Sequence, residues 1–141
     1  MLAIAGLAAT ASSQHRGTVL RQLERPATLA SGARLNVVRS IRPYVATVEV
    51  TPNRASLHNG LSVRLTRHAR PLDGAAVSVT FSMPAMNMWH ILTSRLAPAG
   101  NGVYSTTEPI FGMAGRWQLR LDVSPPGTRR LAFTVVDRMA Q

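Results

Sequence analysis

The segment that decides the fold is Ala75-Ala76-Val77-Ser78-Val79-Thr80-Phe81-Ser82-Met83, in which large apolar residues alternate with smaller ones. Successive side chains of an extended chain point to opposite faces, so this spacing buries one face and exposes the other. Valine and phenylalanine also pack well on the pleated surface of a sheet. Residues 75–83 therefore predict a β-strand whose inward row is Val77, Val79, Phe81 and Met83.

The same two-residue period recurs in four further segments, at 45–50, 61–66, 117–123 and 131–136. Two weaker strands are expected at about 90–97 and about 102–107. Turn sequences rich in Pro, Gly, Asn and Asp separate the segments. We expect residues 44–137 to form an all-β, immunoglobulin-like β-sandwich of about seven strands, with another small β-barrel as the alternative. The residues expected to be buried together are Val77, Val79, Phe81, Trp117, Leu119, Leu121 and Phe133.

The first part of the chain has a different character. Residues 1–13 contain a small apolar run that ends in Ala9-Thr10-Ala11, which is similar to a secretory cleavage site. The positively charged segment that precedes such a run is missing, so we interpret residues 1–13 as a truncated export signal; a frayed, Ala-rich tail is the alternative. Residues 14–43 are interpreted as a basic connector, and the N-terminal segment is expected to be poorly ordered. An export signal predicts a periplasmic or otherwise extracytoplasmic location.

The charge of the chain is strongly positive, at +10, with sixteen basic and six acidic residues. Every basic residue is an arginine, and the only adjacent pair is Arg129-Arg130. Dispersed arginines without interleaved aromatic residues do not form the basic stripe of a nucleic-acid-binding surface, so nucleic acid is not the expected partner. The chain has no cysteine, which excludes disulfides and thiolate metal sites. No apolar run reaches the length of about 18 residues that spans a membrane.

Loop counting predicts which residues lie together. Successive loops of a sandwich alternate between its two ends. Loops 52–59, 84–90 and 108–114 are therefore expected at one end, here called the methionine end. The turns at 68–74, 98–102 and 124–127 are expected at the opposite end.

A candidate metal site falls at the methionine end. Within eight residues the sequence places three thioethers and an imidazole, and the same end adds a fourth thioether and a second possible imidazole: Met83, Met86, Met88, His90, Met113 and His58. Thioethers are soft, neutral ligands that favour Cu(I), and imidazole binds both copper oxidation states. The alternative is structural, because methionine fills irregular gaps in cores, Met83 has inward parity and Trp89 could cover the core like a plug.

Catalysis is not expected. The six acidic residues are scattered, and no serine or histidine lies in a recognisable nucleophile or metalloprotease motif. The sequence also has no glycine loop of the phosphate-binding type. We therefore expect a non-enzymatic domain.

Several short motifs, in this order and spacing, resemble the YtkA-like domain family. They are Gly60-Leu61-Ser62-Val63-Arg64-Leu65, Pro71-Leu72-Asp73-Gly74-Ala75, Met83-Pro84-Ala85-Met86-Asn87-Met88, Gly102-Val103-Tyr104 and Gly112-Met113-Ala114-Gly115-Arg116-Trp117. The resemblance covers about residues 55–136. It implies an extracytoplasmic immunoglobulin-like domain, related to FixH-like proteins and similar to the CopC sandwich.

The resemblance also implies a role in copper handling, since relatives are attached to copper-resistance or metal-efflux proteins. Met83, Met86, Met88 and Met113 match methionines of the family pattern, and His90 follows the motif. The chain departs from relatives that carry a lipobox cysteine or a membrane helix. We expect an extracytoplasmic copper-binding or copper-handling module whose partners are a copper ion and a copper-dependent or metal-efflux membrane protein. The alternative is a non-catalytic interaction module with structural methionines.

Overall fold

The computed structural model describes residues 34–55, 58–107 and 111–141, which form nine antiparallel β-strands. The strands are β1 (Leu35–Ile41), β2 (Tyr44–Thr51), β3 (Gly60–Arg67), β4 (Arg70–Pro71), β5 (Ala76–Met83), β6 (Met88–Gly100), β7 (Val103–Thr106), β8 (Gly115–Ser124) and β9 (Leu131–Met139). One 3-10 turn, Pro84–Met86, is the only helical element in these ranges, which contain no helix able to span a bilayer. The prediction of an all-β fold is confirmed.

The strands form the two layers of an immunoglobulin-like sandwich. One layer contains β1, β2, β3 and β7, with the short β4 beside β3. The other contains β5, β8 and β9. Strand β6 belongs to both, because its residues 88–96 pair with β5 whereas residues 97–100 pair with β7. A single strand therefore closes one side of the sandwich.

The core lies between the layers. All seven residues expected to be buried together belong to it, and these are Val77, Val79, Phe81, Trp117, Leu119, Leu121 and Phe133. Full burial of such a side chain contributes about 1.5–3 kcal/mol. The alternation of apolar and polar residues in β5 and β8 therefore predicts correctly which side chains face the core.

Hydrogen bonds close the end opposite the methionines. The hydroxyl of Tyr104 donates to the carbonyl of Leu72 at 2.7 Å and accepts from the amide of Ala75 at 3.0 Å. The amide of Gly102 donates to the Asp73 carboxylate at 2.8 Å. Gly102 has a φ of 71°, and a β-carbon there would lie 2.9 Å from the Leu72 nitrogen. These hydrogen bonds join the Pro-Leu-Asp-Gly motif to the Gly-Val-Tyr motif, which explains why both occur in the sequence.

The sandwich begins earlier in the chain than predicted. Strand β1 pairs with β2 along its whole length, and Leu35 is fully buried. The assignment of residues 14–43 to a connector is therefore wrong for the segment that forms β1, while residues 1–33, including the signal-like run, lie outside the described part. The inward row of β1 is interrupted by Arg39, whose pKa is lowered by burial. This charged residue hid the strand pattern.

The number of strands and the end of the domain also differ from expectation. The described part of the chain has nine strands rather than about seven, because β1 and the two-residue β4 were not expected. Strand β9 continues to Met139, two residues beyond the predicted end of the domain.

Candidate metal centre

Contacts bring the predicted loops together at one end of the sandwich. The amide of Ala55, in the loop after β2, donates to the carbonyl of Ala140 at 2.7 Å. The end of β9 lies beside the start of β8, since Met139 pairs with Gly115. Strand β5, which leads into the methionine turn, pairs with β8 on its other side. The described residues of the three loops therefore lie together at the methionine end, as predicted for loops 52–59, 84–90 and 108–114.

Met83 and Met88 are direct neighbours across the β5–β6 pair. Opposite residues in an antiparallel pair project to the same face, with β-carbons about 4.5–5.5 Å apart. Met83 is only 2% exposed, and Met88 is partly buried against the core. The methyl carbon of Met83 lies 3.0 Å from where a β-carbon on Gly115 would stand. Glycine at position 115 thus leaves space for the Met83 side chain.

Met86 lies on the turn between these two neighbours. The 3-10 turn Pro84–Met86 is capped by Asn87, which has a left-handed φ of 56° and whose amide donates to the Pro84 carbonyl at 2.9 Å. The Met86 side chain is 55% exposed. The three thioethers of the hairpin therefore range from buried to open to solvent.

His90 lies in β6, on a β-bulge, rather than in a loop. The pairing shifts between Phe81 and Met83, so that three residues of β6 oppose Ser82 alone. His90 has a φ of 49°, its amide donates to the Ser82 hydroxyl at 3.1 Å, and its side chain is exposed. Bulges redirect side chains relative to a regular strand, so the direction of His90 could not be read from simple alternation.

Met113 is held near the hairpin by aromatic packing. Phe111 is buried edge-to-face between Phe81 and Trp117, with ring centroids 5.2 Å and 5.0 Å away. The indole N–H of Trp117 donates to the Met113 carbonyl at 3.1 Å. The Met113 side chain is partly exposed. His58 is exposed in the loop that leads to β3.

The core at this end is covered by Phe111 and not by Trp89. Trp89 is 56% exposed, and its indole N–H donates to the Asn87 side chain at 3.3 Å. The idea that Trp89 plugs the core is therefore wrong.

A family model for YtkA-like domains matches residues 39–122, from within β1 to within β8. The chain belongs to the YtkA-like family. The match includes the methionine hairpin and Met113, and it begins earlier than the resemblance read from the motifs alone. No curated protein and no solved structure matches the chain.

Sequence reasoning overlooked a fifth thioether of this YtkA-like domain. Met139 was not among the predicted site residues, yet it is buried and pairs with Gly115, the residue over which Met83 lies. The signal was available, because Met139 continues the inward row of β9 that starts with Phe133 and Val135. Met139 is therefore a core residue at this end of the sandwich.

The YtkA-like domain also buries a carboxyl group at the methionine end. Asp137 is 1% exposed and accepts a hydrogen bond from the Asn53 side chain at 3.0 Å. Burial raises the pKa of Asp137 to about 6, although the bonds from Asn53 and from the Arg138 backbone oppose the rise. The Asn59 side chain accepts from the amides of Asn53 and Arg54 and so fixes the loop. This group was missed because Asp137 was counted only as a scattered acid.

The donor set at this end is dominated by sulfur. The described ranges contain no group of three or more His, Cys, Asp or Glu side chains suited to a metal ion. Thioethers and imidazoles are uncharged ligands that suit a soft monovalent cation better than a hard divalent one.

Proposed function

We propose that this YtkA-like domain is an extracytoplasmic copper-binding or copper-handling module, with Cu(I) as the favoured ion. The observation that best supports it is the direct cross-strand pairing of Met83 with Met88, with Met86 on the short turn that joins them. In this proposal these three thioethers form the centre of the site. His90 or Met113 completes three or four ligands, and His58 is a possible additional one.

The burial of the site suits a weakly charged ion. Thioethers carry no charge, so placing Met83 in the core carries little of the desolvation penalty that a buried carboxylate would carry. Met86 is exposed and accessible to an incoming ion, whereas Met83 lies beneath the surface. We propose that Cu(I) enters at Met86 and is held between Met86, Met83 and Met88.

The cellular setting follows from the same ligands. Thioethers remain usable ligands in oxidising compartments, where thiolates tend to form disulfides. We therefore propose a periplasmic or other extracytoplasmic location and a copper-dependent or metal-efflux membrane protein as the recipient or source of the ion. The proposal assigns no catalytic step to the domain.

Titration of the full chain with Cu(I), against a competing chelator, tests the proposal. Replacing Met86 and Met88 by leucine preserves volume and apolarity, so it removes coordination with little effect on packing. We expect binding tighter than about micromolar in the wild type and a loss of at least about tenfold in the double variant, because soft ligands dominate Cu(I) affinity. Met139→Leu is the control, since it changes a thioether outside the assigned set. A folded double variant that binds as tightly as wild type contradicts the site.

The alternative is a non-catalytic interaction module whose methionines are structural. It is favoured by the near-complete burial of Met83 and by the exposed Trp89 beside the hairpin. Wild-type binding no tighter than micromolar would make this alternative the better account.

A further inference from the structure

Exposed apolar side chains are concentrated around the methionine hairpin. Among the described residues six large apolar side chains are exposed, and five belong to this region: Met86, Trp89, Ile91, Leu92 and Met113. The sixth, Val38, lies on the outer side of β1. Clustered apolar exposure of this kind marks an interaction surface more often than scattered single residues do. These five residues are called the apolar patch.

Arginines border the apolar patch. Exposed Arg116 lines a cleft together with Pro84 and Ala85 of the methionine turn. Exposed Arg138 is the direct partner of Arg116 on the next strand, and exposed Arg54 bridges to Ala140 beside it. None of the three forms an ion pair with a described carboxylate. The described part of this end therefore presents apolar side chains next to uncompensated positive charge.

We propose that the methionine end docks on a membrane surface rich in anionic phospholipid. In this arrangement Trp89, Ile91 and Leu92 enter the interfacial layer, where an indole with one polar edge is well accommodated. Arg116 and Arg138 bind lipid phosphates, for which the planar guanidinium is a good donor. The proposal does not depend on copper binding.

The shape of the edge favours lipid over an added protein strand. Among the described strands, residues 88–96 of β6 pair with β5 alone, so this part of β6 is an edge of the described sheet. The bulge around His90, with its positive φ of 49°, deforms that edge. Irregular edges are poor templates for strand addition. An apolar surface bordered by arginines instead matches a membrane surface, where hydrocarbon lies beneath a layer of phosphates. The net charge of the chain, +10, also favours attraction to these anionic phosphates.

Co-sedimentation of the full chain with vesicles tests this proposal. We expect binding to vesicles that contain phosphatidylglycerol and at least about tenfold weaker binding to phosphatidylcholine alone, since several arginines each contribute. Brominated lipid should quench fluorescence in the wild type, and Trp89→Phe should lose most of this quenching, because Trp117 is buried. Binding without quenching of Trp89 overturns the proposed orientation.

Matched variants distinguish the contribution of the apolar patch to vesicle binding from two others. These are the general positive charge and the apolar run near the N-terminus, which every variant retains. Ile91→Asp should abolish binding, whereas Val38→Asp, which makes the same change on β1, should not. The pair Arg116→Gln and Arg138→Gln should weaken binding by about fivefold for each arginine. The control pair is Arg64→Gln and Arg70→Gln, which removes equal charge elsewhere.

Circular dichroism confirms that each variant is folded. Equal losses in the two arginine pairs would mean unspecific attraction and overturn the proposal. Failure of the wild type to bind anionic vesicles would also overturn it, and would assign the patch to a protein partner instead.

Discussion

Replacing Asp137 by asparagine should remove a specific pH dependence of stability. The Asp137 carboxyl is almost completely buried, and its Oδ2 atom has no hydrogen-bond partner among the described residues. Burial raises its pKa to about 6, whereas in the unfolded chain it titrates near the ordinary value of 3.8. Between these pH values the folded chain holds a proton that the unfolded chain has lost. The free energy of unfolding therefore falls as pH rises from about 4 to about 6.

The magnitude follows from the two pKa values. A difference of about two pH units corresponds to a loss of about 3 kcal/mol, which is fully present above pH 6 and absent below about pH 4. Asparagine has nearly the same shape, carries no charge at any pH, and can still accept from the Asn53 side chain. We expect Asp137→Asn to be more stable than wild type at pH 7, by up to about 3 kcal/mol, and equally stable near pH 4.

Urea unfolding at several pH values between 4 and 7, followed by tryptophan fluorescence, measures this difference. Comparing variants at each pH cancels the contribution of the histidines. Asp122→Asn is the control, because Asp122 is also buried but forms ion pairs with Arg120 and Arg130. The reasoning fails if Asp137→Asn keeps the wild-type slope between pH 4 and 6, or if it is less stable than wild type at pH 7.

Three further substitutions test the fold. Gly102→Ala should lower stability by more than about 2 kcal/mol in urea unfolding, because it combines a positive φ with a backbone clash; an unchanged midpoint would contradict this account. Tyr104→Phe should cost about 1–3 kcal/mol, since it leaves the Leu72 carbonyl and the Ala75 amide without their partner; thermal unfolding is a sufficient measurement. Leu35→Ala should cost about 2–5 kcal/mol if β1 is part of the folded unit, and a neutral result would return β1 to the connector.

The sequence was sufficient to predict most strands, because both faces of β5 and β8 carry residues of consistent polarity. It was insufficient for β1, where Arg39 occupies an inward position and breaks the pattern. It also could not show that β6 is one continuous strand of 13 residues, because Pro98 and Gly100 read as a turn, although they still pair with β7. Local polarity reports burial well, whereas strand length depends on partners that are distant in sequence.

The candidate site was predicted in part. Loop counting correctly brought the loops around His58, Met86 and Met113 to one end, because the unexpected β1 precedes all three loops and the two-residue β4 does not cross the sandwich. The burial of each methionine could not be predicted, since it depends on the register between β5 and β6. The choice between Phe111 and Trp89 as the cover of the core was equally unpredictable, because both are large aromatic residues in the loops predicted at the same end.

Strand β6 should show two different rates of amide hydrogen exchange. In the part of the chain that the structure describes, residues 88–96 pair with β5 alone, so we expect amides that face away from β5 to exchange within seconds to minutes. Residues 97–100 pair with β7, so their bonded amides should exchange far more slowly. One continuous strand would then be labile beside the methionines and protected at its other end, which lets the hairpin loosen while the sandwich stays closed.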